Sequence, residues 1–227
     1  MYQYLGTTGI KISDLQGIFY FISIASVGLI RTKSKTVKGA GEAILFSILQ
    51  VLPGLLHFSF GELVGTGANY FGTLFTAPLF IAAACFVFKK DFFAKMDLMT
   101  PAYALGLVWL KIVCFCDGCC RGIRTPYGLY NFVSKQVEFP VQLVEAGLAL
   151  LIFFFLLFWE KKAARGTLYP LYMIMYSVTR FFSEFLRCEE NVFGILKTYH
   201  ILCILGVIAG LIEWCLVKYP VLRKKRT

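Results

Sequence analysis

Long apolar runs alternate along this chain with short segments rich in Lys, Arg and Gly. Set against the turn and charge signals, the runs predict seven helices, near residues 16–31, 40–61, 70–88, 98–118, 140–159, 167–186 and 199–217. Most approach the ~20 residues that cross a bilayer core, and the first is the shortest. The pattern predicts an all-α fold: a polytopic helical membrane protein in which residues 1–227 form one transmembrane domain. No internal repeat, low-complexity stretch or interdomain linker interrupts it. One run departs from the apolar pattern. Tyr176, Arg180, Glu184 and Arg187 follow one another at i, i+4, i+8 and i+11, which puts all four on one helix face. Charges at membrane depth are costly unless they pair or face a wet cavity, so this stripe marks a candidate site.

Composition supports the membrane reading. Apolar residues make up 58% of the chain, aromatic residues 17%, and the mean hydropathy is +0.71. Only 16% are charged, against roughly 25% in soluble domains, and a soluble core of this size would not hide so much apolar surface. The net charge is +10, but the basic residues sit in short connections between apolar runs. That placement suits membrane topology and anionic lipid and argues against a nucleic-acid partner. Lys and Arg outside the predicted spans divide fifteen against six between alternate connections. The richer side holds Arg31, Lys33, Lys89, Lys90, Lys161, Lys162 and the tail; the poorer holds Lys11, Arg121, Arg124, Lys135, Arg187 and Lys197. The positive-inside rule then predicts an outer N-terminus and a cytoplasmic C-terminus. Residues 1–15 are mixed in character, with Lys11 and Asp14, and predict no cleavable signal peptide.

With that orientation, polar groups from separate spans fall at a similar depth near the outer leaflet. Lys111 and Asp117 come from the fourth predicted helix, Gln142 and Glu145 from the fifth, and Arg180, Glu184 and Arg187 from the sixth. A shared polar cavity would explain the coincidence. Taken singly, each residue also suits a structural role. Arg187 would snorkel to the interface, Arg180 and Glu184 would form a buried i, i+4 pair, and Gln142 and Glu145 would hydrogen-bond between helices.

Four of the eight cysteines crowd into Cys114-Phe-Cys116-Asp-Gly-Cys119-Cys120. This spacing could ligate zinc or copper, although structural zinc sites usually use two ligand pairs across a longer loop and no histidine lies nearby in sequence. The other reading is small residues filling a helix end, with a disulfide possible on the outer side. The following segment, 121–139, is polar and carries Thr125-Pro126-Tyr127-Gly128 as a turn signal. It reads as a mobile arm over the site or as an ordinary loop.

The ordered motifs resemble those of the prolipoprotein diacylglyceryl transferases, polytopic bacterial membrane enzymes, most clearly over residues 69–217. Tyr176-x-x-x-Arg180-x-x-x-Glu184-x-x-Arg187 looks like the family's late helix motif. Phe139-Pro140-Val141-Gln142-Leu143-Val144-Glu145 resembles its His-Pro-x-Gln-Leu-Tyr-Glu. Lys111-x-x-Cys114-Phe115-x-Asp117-Gly118 lines up with its Arg-x-Gly-Asn-Phe-x-Asn-Gly signature, and Gly118-Cys119-Cys120-Arg121-Gly122 fits a Gly-Cys-Cys-x-Gly variant. The chain departs from the family where Phe71 stands for the histidine of His-Gly-Gly-Leu, Phe139 for the histidine before proline, Lys111 for arginine and Cys114 for asparagine.

The resemblance implies a bacterial plasma-membrane enzyme that moves a diacylglyceryl group from phosphatidylglycerol to the lipobox cysteine thiol of a preprolipoprotein. Its partners would be membrane lipid, phosphatidylglycerol among it, and the client's signal peptide; no metal or cofactor is implied. The catalytic candidates are Arg180 for the phosphate, Lys111 assisting as a point charge, Glu184 orienting Arg180, and Glu145 as a base if burial raises its pKa. The substrate-binding candidates are Gln142, Asp117 on the glycerol hydroxyls, Tyr176 as a hydroxyl donor, Arg187 for the headgroup, and Gly118. Two alternatives stand beside this reading: a non-catalytic lipid- or signal-peptide-binding relative, suggested by the missing histidines, and a small transporter.

Overall fold

The computed structural model describes residues 70–188 and 196–218, with scattered positions between 22 and 52. The predicted spans at 16–31 and 40–61 lie largely outside these residues. Five helices and one hairpin follow in chain order: α1 (Tyr70–Val87), α2 (Phe92–Cys116), β1 (Arg124–Asn131), β2 (Gln136–Glu138), α3 (Val141–Trp159), α4 (Leu168–Glu184) and α5 (Thr198–Lys218). Helices α1, α2, α3 and α5 are long and apolar enough to cross a membrane. Helix α4 has 17 residues and carries the polar stripe. The outward faces expose Phe154, Phe158, Leu211 and Ile212, an apolar exterior suited to hydrocarbon rather than water.

The described part is mostly helical, but it is not all-α. The segment predicted as an arm or loop is an antiparallel hairpin, pairing Asn131 with Gln136 and Tyr130 with Val137. The predicted turn at Thr125–Gly128 lies inside β1, and the chain reverses at 132–135. Asn131 explains the shift. Its Oδ1 accepts from the amides of Val133 (2.9 Å) and Ser134 (3.3 Å), an Asx-type turn that outcompetes the Pro-Gly signal upstream.

Helix α2 begins at Phe92, six residues before the predicted 98. Asp91 caps it by accepting from the Ala94 amide at 2.9 Å. The charges that made this stretch read as a connection are both accommodated. The Lys95 ammonium lies 5.0 Å from the Phe46 ring centroid, and the Asp97 carboxylate accepts from the amides of Gly166 and Leu168. Asp97 thereby satisfies backbone donors at the start of α4 and ties α2 to it. Asp97→Ala should cost about 1–2 kcal/mol, read as a lower thermal midpoint in detergent; an unchanged midpoint would remove this tie from the account.

Helix α2 packs most extensively against α3, and α4 against α5. An aromatic layer fills the centre. The hydroxyls of Tyr70 and Tyr172 are 2.6 Å apart, and the Tyr176 ring meets those of Tyr70 and Phe71 at 4.9 and 5.2 Å. This layer forms the floor on which the charged residues one turn further along α4 stand.

Candidate active site

The charged groups gather at one end of the helices because each sits near an element boundary. Lys111 is five residues from the end of α2, Glu145 is in the second turn of α3, and Arg180 and Glu184 close α4. Glu145 is the hub. Its carboxylate takes the Lys111 ammonium at 2.7 Å, Arg180 at 3.0 Å and Arg187 at 2.7 Å, and the Ser183 hydroxyl donates to it at 2.7 Å. Arg180 also pairs with Glu184 one turn on, and Arg187 lies 3.8 Å from the same carboxylate. All five charged side chains are buried. Three cations against two carboxylates leave one positive charge in excess. Arg180 completes its surroundings over the Tyr199 ring, at 5.0 Å.

Two expectations for these residues are corrected. Arg187 does not snorkel to the surface. It is 3% exposed and shares the hub carboxylate, because the chain turns back after α4 and carries it over Glu145. Burial disfavours the Arg187 cation, but Glu145 and the Cys120 sulfur outweigh that and push its pKa up. Glu145 is not the isolated, desolvated carboxyl that a general-base role required; the structure gives it three cationic partners.

The remaining candidates divide. Gln142 stands beside the cluster, its Nε2 donating to the Cys119 carbonyl at 2.6 Å. Tyr176 lies beneath it in the aromatic floor. Gly118 occupies a left-handed turn (φ 69°) and its carbonyl accepts from Asn131 Nδ2 at 3.3 Å. Asp117 is not brought in; it caps the end of α2 and forms no ion pair with the cluster among the described residues. Phe71 and Phe139, where the resemblance would put histidines, pack on Tyr176 and line the hairpin groove respectively.

Sequence reasoning missed Ser183 and Lys197. Ser183 follows Arg180 by three residues, so the helical spacing that selected the stripe also selects it. Lys197, 6% exposed, was counted only as a loop cation. Its ammonium is held by the carbonyls of Glu184 (2.8 Å) and Arg187 (2.6 Å), and its amide donates to His200 Nδ1 at 2.9 Å. It thus neutralises the carbonyl end of α4 directly behind the cluster. No local pattern in the sequence signals this.

The loops around the cluster are tied by backbone bonds. Ile123 donates to the Leu186 carbonyl at 2.9 Å and Cys188 to the Arg121 carbonyl at 3.0 Å, so segment 121–123 runs beside 186–188. Hydrogen bonds from Cys114 and Cys119, then the charges of Lys111 and Arg187, pull the Cys120 thiol below its ordinary pKa, while its two thiol neighbours push Cys119 up. Among the described residues, two spaces adjoin the site. A crevice of about 10 Å³, enough for roughly one water, lies against Lys111, Glu145, Tyr176 and Arg180. A groove of about 410 Å³ runs between the end of α2 and the hairpin, bounded by Phe115, Tyr130, Phe139 and Gln142.

A mostly helical, membrane-type bundle holding a buried polyionic cluster with a positive surplus defines the class. A family model described as prolipoprotein diacylglyceryl transferase matches residues 41–216, and the chain belongs to that family. It is similar to a protein of Clostridium tetani named phosphatidylglycerol–prolipoprotein diacylglyceryl transferase, 30% identical over 158 residues. A Clostridium perfringens protein, named as the second such transferase, is 27% identical over 232 aligned positions, 90% of each chain. A Helicobacter pylori transferase is 31% identical over 149 residues. The matches cover 65% of this chain and 63% of the C. tetani protein, and 60% and 52% for the H. pylori pair.

Proposed function

We infer that this protein transfers a diacylglyceryl group from phosphatidylglycerol to the lipobox cysteine of a preprolipoprotein. The client thiol's sulfur bonds to the glyceryl carbon, the carbon–oxygen bond to phosphate breaks, and the thiol's proton ends on the released phosphate. Glycerol phosphate leaves with that electron pair. The observation that carries the reading is the surplus cation held at Glu145. The leaving phosphate develops charge, and a pre-set cationic site out of bulk water stabilises it. Arg180 makes the phosphate contact with Lys111 beside it, Glu184 orients Arg180, and Arg187 draws in the headgroup. Glu145 holds the three cations in register. Gln142 and Tyr176 position the lipid.

The wider setting is one seven-span domain in the bacterial plasma membrane, N-terminus outside and C-terminus in the cytoplasm. Contacts between odd-numbered connections support it. Arg31 grips Glu160 at 2.6 and 2.7 Å and donates to the Leu98 carbonyl, and Arg165 pairs with Asp91, all at the end opposite the cluster.

The test is lipidation of a lipobox peptide by purified protein in phosphatidylglycerol vesicles. Arg180→Ala should lower kcat/KM by about 10²–10³-fold, the scale of losing one pre-organised donor. Full activity in both Arg180→Ala and Glu184→Ala would refute the site. The non-catalytic reading gains from Phe71 and Phe139 standing where the resemblance puts histidines; lipid retained without transfer, under excess peptide, would favour it. The charged groups gather at one end of the helices, which does not favour a transport path.

A further inference from the structure

The transfer reaction makes no use of the cysteines beside the site. Cys114 sits in the last turn of α2, and Cys119 and Cys120 lie in the reversal after it. The three sulfurs fall within 4.8 Å of one another, and all three are unbridged. The convergence is built by the backbone. Gly118 (φ 69°) and Cys120 (φ 54°) both take the left-handed region, which a side-chain-bearing residue rarely adopts. At Gly118 a β-carbon would meet Val133 Cγ2 at 2.6 Å, so the turn is shaped against the hairpin as well. The chain therefore curls back over the helix end and brings positions i, i+5 and i+6 together. Cys116, two residues after Cys114, is exposed and outside the group. Small residues merely filling a helix end would not need this costly conformation at Cys120.

We propose that Cys114, Cys119 and Cys120 bind one thiophilic d10 cation, zinc(II) or copper(I). Zinc–sulfur bonds of about 2.3 Å set tetrahedral sulfurs roughly 3.8 Å apart, so a group already within 4.8 Å closes with small side-chain rotations. The donor set is all sulfur, which selects these cations and excludes calcium and magnesium. Lys111, on the same helix as Cys114, and Arg187 lie close enough to act on the Cys120 thiol, so the thiolates form beside positive charge. The bound ion would be a brace. It fixes residues 117–122, whose Cys119 carbonyl holds Gln142 and whose Gly122 bridges to Arg187.

The full chain, reduced and in detergent, is loaded separately with zinc(II) and copper(I), then desalted. One equivalent of either per chain is expected to remain. Cobalt(II), as a spectroscopic stand-in, should give thiolate-to-metal charge-transfer absorbance. Cys119→Ser and Cys120→Ser should each weaken binding by more than about 100-fold, since loss of supporting contacts alone costs about 10–100-fold. Cys116→Ser should retain the metal. Wild-type protein gives an independent readout. Without metal Cys119 and Cys120 label; with metal bound they resist alkylation, while the exposed Cys116 and Cys188 label in both states. Neither ion retained, retention unchanged in both serine variants, or a disulfide among the three in protein isolated without reductant would overturn the proposal. None of these readouts requires transfer activity.

Discussion

Glu145→Ala is expected to destabilise the protein by about 3–5 kcal/mol, the cost of leaving buried charges without a partner. Three cations share that carboxylate, at 2.7, 3.0 and 2.7 Å. Removing it leaves Lys111, Arg180 and Arg187 facing one another, with Glu184 as the remaining carboxylate in the cluster. Thermal unfolding in detergent should show a midpoint lower by roughly 10 °C. Adding Lys111→Ala should recover part of the loss, because the second change removes one of the stranded cations. Lipidation should be lost in both proteins, since the single variant scatters the phosphate site and the double variant thins it. A Glu145→Ala protein as stable as the parent would mean that the cations do not depend on this carboxylate, and the proposed site would fall.

Gly122→Ala should be nearly as damaging, for a steric reason. A β-carbon at Gly122 would lie 2.1 Å from the Phe139 carbonyl oxygen and 3.2 Å from that of Leu186. Both are backbone atoms that side-chain rotation cannot move. The substitution must push segment 121–123 away from 186–188, breaking the Ile123–Leu186 and Cys188–Arg121 hydrogen bonds that hold Arg187 over Glu145. A loss of more than about 2 kcal/mol is expected, with faster amide exchange at Ile123, Phe139 and Cys188 and reduced lipidation. Gly147, with open space where its β-carbon would stand, is the control; Gly147→Ala should stabilise α3 by about 0.5–1 kcal/mol. Unchanged exchange in Gly122→Ala would show that this bridge does not position Arg187.

The polar stripe was legible because helical spacing is a local property. Tyr176, Arg180 and Glu184 stand out in an apolar run, and the same arithmetic reaches Ser183. Gln142 and Glu145 were legible for the same reason. What they contact was not. Glu145 was read as a base needing an apolar pocket, but its environment comes from α2 and from residues 180–187, far away in sequence. Asp117 was read into the site from the depth of its helix end and its alignment with the family's asparagine, yet it serves as the C-cap of α2. The hairpin was hidden because Thr125–Gly128 was the more conspicuous turn signal although the chain reverses after Asn131, and the segment is too polar to show a strand period.

The chain by itself determined the helices of the described region, near 70–88, 140–159, 167–186 and 199–217, and which of their residues carry charge. Apolar length and 3.6-residue periodicity are written locally and survive any packing. Tertiary structure alone decided that Glu145 serves three cations and that Lys197 clamps the end of α4 beside them. Those are contacts between segments distant in sequence, and only helix packing and the backbone bonds between loops set their distances.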